Sequence, residues 1–352
     1  MRTVAGTAAL YTRHATSYMA VRPKDVSDGK DLQVPYDAPS SDMSMMRIAI
    51  AGTGGLARII AHYIDQDTSH HVIFLSRSAK QQLTTKGYQV TVVDYDDADS
   101  LKYALRGIDT VISTVTGAPQ VELIKAAVSV RVRRFAPAEF EGLPQLRPAN
   151  DPLDRHRSLA LHWLNHYSQF VQSTRFVCGI LYERFQPGGL AQSIMGLSSG
   201  FSGEGDYIMN CRTMEAQVPA YDAENNSDVA ICMTAAQDVG RFVTKAIDLK
   251  QWPAELRMCG QRILVKDLVA TVSRLKGQVF DPIVWHNPAS LRSELQLAAA
   301  QQDTARGTRV QVLIATANGR YDFSQPNLNR AFPDTKPITF QDWFVAKWSG
   351  QQ

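Results

Sequence analysis

From Arg47 onward the chain alternates between short runs of consecutive apolar residues and longer stretches in which apolar residues recur every three or four positions. The first pattern is that of strands buried on both faces, the second that of amphipathic helices. RIAIAG (47–52) predicts a first strand, and GLARIIAHYIDQ after it predicts a helix with Ile59, Ile60, Tyr63 and Ile64 on one face. VIFLSR (72–77), QVTVVDY (89–95), TVISTVTG (110–117) and RRFAPAEF (133–140) predict four more strands, the last running into its exit loop. DADSLKYALRG, with Gly107 as its stop, and VELIKAAVSV predict helices between them. Interleaved in this way, they predict a parallel sheet covered on both faces, the doubly wound α/β (Rossmann) fold.

Past Phe140 the stretch GLPQLRPANDPLD predicts a loop, RHRSLALHWLNHY a helix and TRFVCGILY (174–182) a sixth strand. The pattern then loosens. YIMNCRTMEAQVPAY and VAICMT predict strands, and AAQDVGRFVTKAIDL, VKDLVATVSRLKG, LRSELQLAAAQQ and ITFQDWFVAKW predict helices. The expected division is a dinucleotide-binding domain over 46–182 and a smaller C-terminal substrate lobe, with elements returning to the sheet, over 183–352. Residues 1–45 show no sustained periodicity. They open MRTVAGTAALYTRHATSYMAVRPK, basic and without an acid before Asp25, which is the composition of a mitochondrial transit peptide. An unstructured tail, or a start placed ahead of Met43, Met45 and Met46, are the alternatives.

Composition narrows the function classes. Lys+Arg 37 against Asp+Glu 34 leaves a net charge of +3, too balanced for a nucleic-acid or anionic-membrane surface. The four cysteines, Cys178, Cys211, Cys232 and Cys259, form no CxxC and predict core thiols in a reducing, cytoplasmic setting. No uninterrupted apolar run reaches the roughly 18 residues of a membrane span.

The chemistry begins at the end of the first strand. Gly52, Thr53, Gly54, Gly55, Leu56 and Ala57 read as GxGxxA between a strand and an amphipathic helix, the context that gives this motif its meaning. Early glycines allow a tight turn and let the backbone approach a pyrophosphate, and the small Ala57 lets helix and strand pack closely. The helix N-terminus then offers free N–H groups to the phosphates. An NAD site needs a carboxylate at the end of the second strand. This chain has Ser76-Arg77-Ser78 there, with Lys80 close by. A guanidinium and hydroxyls complement a 2′-phosphate, so NADP(H) is the expected cofactor. Otherwise Arg77 is a solvated strand-end charge.

These residues resemble the NmrA-like and isoflavone-reductase-like group of atypical short-chain dehydrogenases, particularly its fungal members. The resemblance rests on IAGTGGLAR, the Arg77 strand end, TVTG (114–117), Arg134-Phe135-Ala136-Pro137-Ala138-Glu139-Phe140, which is similar to the group's RFxPSEF segment, and TAAQDVGRFVTKAI (234–247). It implies that the loops holding Thr114, Pro137 and Cys178 to Glu183 face the nicotinamide. Two departures stand out. None of the twelve tyrosines has a Lys four residues later, as ordinary short-chain dehydrogenases require. Where the group's reductases place a lysine, this chain reads Asp154-Arg155-His156-Arg157. Arginine can anchor or polarise a substrate oxygen but cannot give up a proton near neutral pH. His156 can, although it also reads as an exposed helix-start residue. Tyr182 and Glu139 are the other groups expected to transfer a proton.

Other constellations carry less. His162 and His166 share a helix face without the glutamate of HExxH, so no metal is expected. Arg131-Val132-Arg133-Arg134 reads as a solvated turn. The expected function is an NADP-dependent reductase acting on an enone or carbonyl of a small aromatic or polyketide-type molecule in secondary metabolism. Alternatives are a non-catalytic dinucleotide sensor that binds a protein partner, and a non-redox cyclase or isomerase on the same fold.

Overall fold

The structure, a computed structural model, describes residues 45–350. The expectation of a targeting segment at 1–45 lies outside the described residues except for Met45.

A six-stranded parallel sheet organises the first half of the chain. Its strands are β1 (Arg47–Ala51), β2 (His71–Ser76), β3 (Gln89–Val92), β4 (Thr110–Ser113), β5 (Arg134–Ala136) and β6 (Gln172–Ser173), in the order β3-β2-β1-β4-β5-β6. Ile48 lies beside Val72 on one side and Thr110 on the other. The strand order reverses between β1 and β4, and in such sheets a crevice opens at the carboxyl ends of the strands at that point. β1 after Arg47 and all of β4 are buried because helices cover both faces.

On one face lie α1 (Gly55–Asp67) and, from much later in the chain, α5 (Ala236–Ile247). On the other lie α2 (Ala98–Ala104), α3 (Ala118–Ser129) and α4 (Arg157–His166). α5 buries Val239, Phe242, Val243, Ala246 and Ile247 against α1 and the sheet. Each large side chain among them contributes roughly 1.5–3 kcal/mol on burial. The two helices approach closely because Gly240 faces Ile59 and Tyr63, where a β-carbon would meet the tyrosine ring.

Two elements differ from expectation. The predicted strand 174–182 is two strands, β7 (Arg175–Val177) and β8 (Ile180–Leu181). Gly179 between them has φ +68° and lies against the Cys232 carbonyl, so the chain turns there and changes sheets. β7 pairs with β12 (Glu255–Arg257) in a separate two-stranded sheet, and β8 pairs with β11 (Ala230–Thr234) in the second lobe. The second difference is at Arg134, which is not part of a solvated turn. It is 4% exposed and donates to the carbonyls of Ile247, Leu249 and Lys250 at 2.7–2.8 Å, closing the C-terminal end of α5.

The second lobe joins β9 (Met209–Asn210), β10 (Glu215–Pro219), β13 (Gln261–Leu264) and β14 (Ile283–His286) with four helices. These are α6 (Val265–Lys276), α7 (Pro288–Ala300), α8 (Thr304–Ala317) and α9 (Phe340–Trp348). α8 had no counterpart in the sequence reading. Tyr182, Phe185, Phe340, Trp343 and Phe344 form the aromatic heart of this lobe. No helix among the described residues is long and apolar enough to cross a membrane.

Candidate functional site: a glycine turn and an arginine-bearing cleft

The turn after β1 is shaped by backbone. Gly52 has φ +102°, a conformation open to glycine, and a β-carbon there would collide with the Thr114 hydroxyl. Its N–H donates to the Leu75 carbonyl, and Thr114 donates through both N–H and Oγ1 to the Ala51 carbonyl at 2.9 Å. Three neighbouring strand ends are thereby tied together. Gly54 is the N-cap of α1 in extended conformation, without a side-chain cap and with no acid in the first helical turn. Ala57 is fully buried against the sheet. The first backbone N–H inside α1 bonded to the helix itself is that of Arg58, to the Gly54 carbonyl. This arrangement fits a dinucleotide's pyrophosphate, since donors and the positive end of a helix dipole converge with no side chain between. One donor is already engaged: the Gly55 N–H bonds the carbonyl of Ile194 at 2.9 Å.

At the end of β2, Arg77 and Ser78 are exposed, and Lys80 is half-buried just before the single helical turn Gln81–Thr84. Among the described residues Arg77 has no carboxylate partner. Its charge still reaches Tyr95, whose buried phenol is pushed up to about 12 by desolvation and eased by Arg77. Arg58, quoted with the turn but given no role in the sequence reading, belongs to the same edge. Its Nε donates to the Thr53 carbonyl at 2.9 Å and its Nη1 to Gln82 at 3.5 Å. Its place one position after Ala57 was the available signal.

The exits of β4 and β5 form the other wall. Gly117, at φ +86°, donates its N–H to the Arg155 carbonyl at 3.0 Å. Pro137 is buried, and the next N–H, that of Ala138, donates to Oε1 of the buried Gln120 at 2.7 Å. Gln120 thus joins the first turn of α3 to the Pro137 loop, a link with no local pattern to announce it.

Beyond Ala138 the loop is held by charges. Arg147, almost fully buried, grips Glu139 at 2.7 and 3.3 Å, Glu141 at 2.9 Å and Asp154 at 3.5 Å. Arg157 donates to Glu141 at 2.6 Å and to the Ala138 carbonyl at 3.0 Å. Arg320, from the second lobe, pairs with Asp151 at 2.8 Å. Burial would raise Glu141, but Arg157, Arg147 and Arg320 hold it down at about 2. Glu139 is raised by burial despite Arg147.

The four residues expected near the chemistry are therefore placed apart. Arg157 is engaged by Glu141 and the Ala138 carbonyl. Arg155, half-buried, has a single side-chain partner, Ser198 Oγ at 2.9 Å; desolvation, then Arg157, lowers its pKa. His156 is exposed, the left-handed N-cap of α4. Tyr182 is fully buried in the second lobe, its hydroxyl donating to the Ile338 carbonyl at 3.3 Å, and burial raises its pKa. Cys178 is likewise buried, and its thiol is raised by desolvation. His162 and His166 pack their rings edge-on against Trp163.

A separate cavity of about 350 Å³ takes none of its lining from the nucleotide-binding sheet. Its charges are matched internally, Arg306 with Glu294 and Arg309 with Asp206, and His286 Nε2 meets Gln217 at 2.6 Å.

Comparison with known proteins gives four findings. The model of the NmrA-like family matches residues 45–279. Oxidoreductase BOA1 of Botryotinia fuckeliana is 26% identical over 315 residues, spanning 85% of this chain and 98% of that protein. Among solved structures, the pinoresinol-lariciresinol and phenylcoumaran benzylic ether reductases superpose with a TM-score of 0.62 at 19% identity, over 87% of this chain and 100% of theirs. The triphenylmethane reductase of Citrobacter sp., solved in complex with NADP(H), superposes with a TM-score of 0.60 at 15% identity, over 86% of this chain and 100% of that one. At these identities the two structural likenesses are likenesses of fold.

Proposed function

The chain belongs to the NmrA-like family, and from that membership we propose that it is an NADP(H)-dependent oxidoreductase. In this reading it reduces an enone or carbonyl of a small aromatic or polyketide-type molecule, in the cytoplasm and within secondary metabolism. The observation that carries the reading is the N-terminus of α1, free of any side-chain cap, behind a left-handed Gly52, together with an exposed Arg77 that has no carboxylate partner among the described residues. The oxidoreductase name of the Botryotinia relative and the NADP(H) bound to the Citrobacter reductase support it.

The backbone from Gly52 to Ala57 receives the pyrophosphate, Arg77 with Ser78 and Lys80 holds the 2′-phosphate, and Thr114 and Pro137 border the nicotinamide. When bound, NADPH supplies the hydride. Arg155 binds the substrate oxygen and stabilises the negative charge that develops on it; Arg157, already engaged by Glu141, keeps the loop in place. His156, beside Arg155, is the side chain proposed to supply the proton. Tyr182 takes no part, because its hydroxyl is committed within the second lobe.

A second reading is favoured by the replacement of the expected lysine with Arg155-His156-Arg157: a dinucleotide sensor that engages a protein partner without turnover. One experiment separates the two. Purified protein is titrated with NADPH and NADH and then offered a panel of enones and aryl ketones. Tighter binding of NADPH with oxidation of it is expected. Equal affinity for the two nucleotides refutes the 2′-phosphate assignment, and preferential NADPH binding without oxidation across the panel favours the sensor.

A further inference from the structure

Residues 189–199 lie directly on the glycine turn. Leu190 and Met195 are buried against Leu56 and Ile59 of α1 and against Ala236. The Ile194 carbonyl accepts the Gly55 N–H, and a β-carbon on Gly55 would collide with the Ser193 carbonyl oxygen. One placed on Gly54 would lie 3.0 Å from the Ile194 carbonyl oxygen. At its far end the segment reaches the other wall, where Ser198 meets Arg155. It is bounded by glycines in the left-handed conformation, Gly188 before it, Gly189 at its start and Gly200 after it. Ile194 is itself left-handed, at φ +55°, a costly conformation for a β-branched residue, and its side chain is exposed.

A carbonyl oxygen held on the first N–H of α1 occupies the place of an anionic acceptor. It satisfies the donor on which a bound pyrophosphate depends. Building on the NADP(H) reading, we propose that residues 189–199 are a gate on the dinucleotide turn, closed by the Ile194 carbonyl and opened when the cofactor's pyrophosphate replaces it. The affinity of the wild type for NADPH is then reduced by the fraction of molecules in which the gate is closed. The strain at Ile194 keeps the closed state from being too stable to open. Gly55 is explained by the same contact: the dinucleotide motif leaves the position after its second glycine free to vary, whereas the carbonyls above it tolerate no side chain.

Two substitutions push the gate in opposite directions. Gly55→Ala suits a helix start but cannot coexist with the closed segment. It is expected to bind NADPH about two- to tenfold more tightly, the worth of one backbone hydrogen bond, and to speed amide hydrogen exchange over 189–199 in the free protein. Ile194→Asn relieves the left-handed strain at a side chain that is 43% exposed. It is expected to bind NADPH about two- to tenfold more weakly and to slow that exchange. Binding is read by NADPH titration of the full chain, with Tm as the check on folding. If Gly55→Ala keeps the wild-type Tm and binds no tighter, the gate is overturned. If that variant fails to fold, Ile194→Asn decides, and equal or tighter binding by it overturns the gate. Absence of NADPH binding in the wild type and both variants instead overturns the dinucleotide reading, and the gate with it.

Discussion

The glycine turn and the loop after β5 face each other across one cleft but are made of different material. At the turn, Gly52, Gly54 and the start of α1 present backbone N–H groups and almost no side-chain chemistry. In the loop, Glu139, Glu141, Asp154, Arg147 and Arg157 supply buried charges, and Arg320 pairs with Asp151 from the other lobe. A backbone site needs small residues at fixed spacing, so little energy is at stake in any one side chain. A buried ion cluster is the reverse. Desolvation of each charge is matched only while every partner is present, so removing one leaves the others uncompensated. The turn is the proposed seat of the cofactor, and the shape of the opposite wall depends on the cluster.

The sharpest way to break that contrast is to exchange the effects. Arg147→Met leaves Glu139 buried without its guanidinium and should cost about 3–5 kcal/mol of stability, seen in urea unfolding. Adding Glu139→Leu should recover much of it, because a well-packed apolar pair avoids the desolvation penalty. Gly52→Ala should cost less, about 1–2 kcal/mol for a left-handed alanine plus repacking of Thr114, yet remove most NADPH binding. If Arg147→Met unfolds like the wild type, the cluster is not the structural element described here.

This contrast also explains what could be read from the chain alone. Gly52, Gly54 and Ala57 lie within six residues and follow an apolar strand, so spacing alone located them. Arg77 was singled out because strand ends follow from the same periodicity, and it does lie directly after β2. The cluster was not legible, because Arg320 meets Asp151 only after the second lobe has folded back. Arg157 therefore read as an equal of Arg155, although Glu141 already holds it. Gly179 hid inside an apolar run as a strand residue, and only the Cys232 carbonyl beside it explains the break between β7 and β8. α8 was missed because VQVLIATA carries β-branched residues and is buried on several sides, so neither helical nor strand periodicity is visible.

A charge reversal at the turn's outer edge sharpens the comparison next, because Arg77 is the side chain proposed to choose the cofactor. Arg77→Asp removes charge-assisted bonds worth about 1.5–3 kcal/mol, so NADPH should bind about ten- to hundredfold more weakly. NADH should be affected little, since it lacks the 2′-phosphate. Stability should hold, because the residue is exposed and unpaired. Parallel titrations with the two nucleotides check this, and an equal loss for both would place Arg77 outside the site.

The smallest effect concerns a carboxylate that combines features of the two walls. Glu183 is buried like Glu139, but it faces backbone: both of its oxygens accept the Ala236 N–H at 3.1 Å, at the start of α5. With only backbone N–H groups and the charge of Lys347 opposing it, desolvation dominates and raises it from 4.5 to about 7, opposite in direction to Glu141. The sign of the pH dependence follows. Between pH 4.5 and 7 the folded chain holds a proton at Glu183 that the unfolded chain has released, so stability falls as pH rises, by at most about 1.4 kcal/mol per pH unit. Glu183→Gln keeps an acceptor for the helix N-terminus and removes the titration. Its Tm relative to wild type should therefore climb by a few degrees between about pH 5 and 7 and level off above. A difference that stays flat across that range would mean that the backbone of α5 holds this carboxylate as firmly as the arginines hold Glu141.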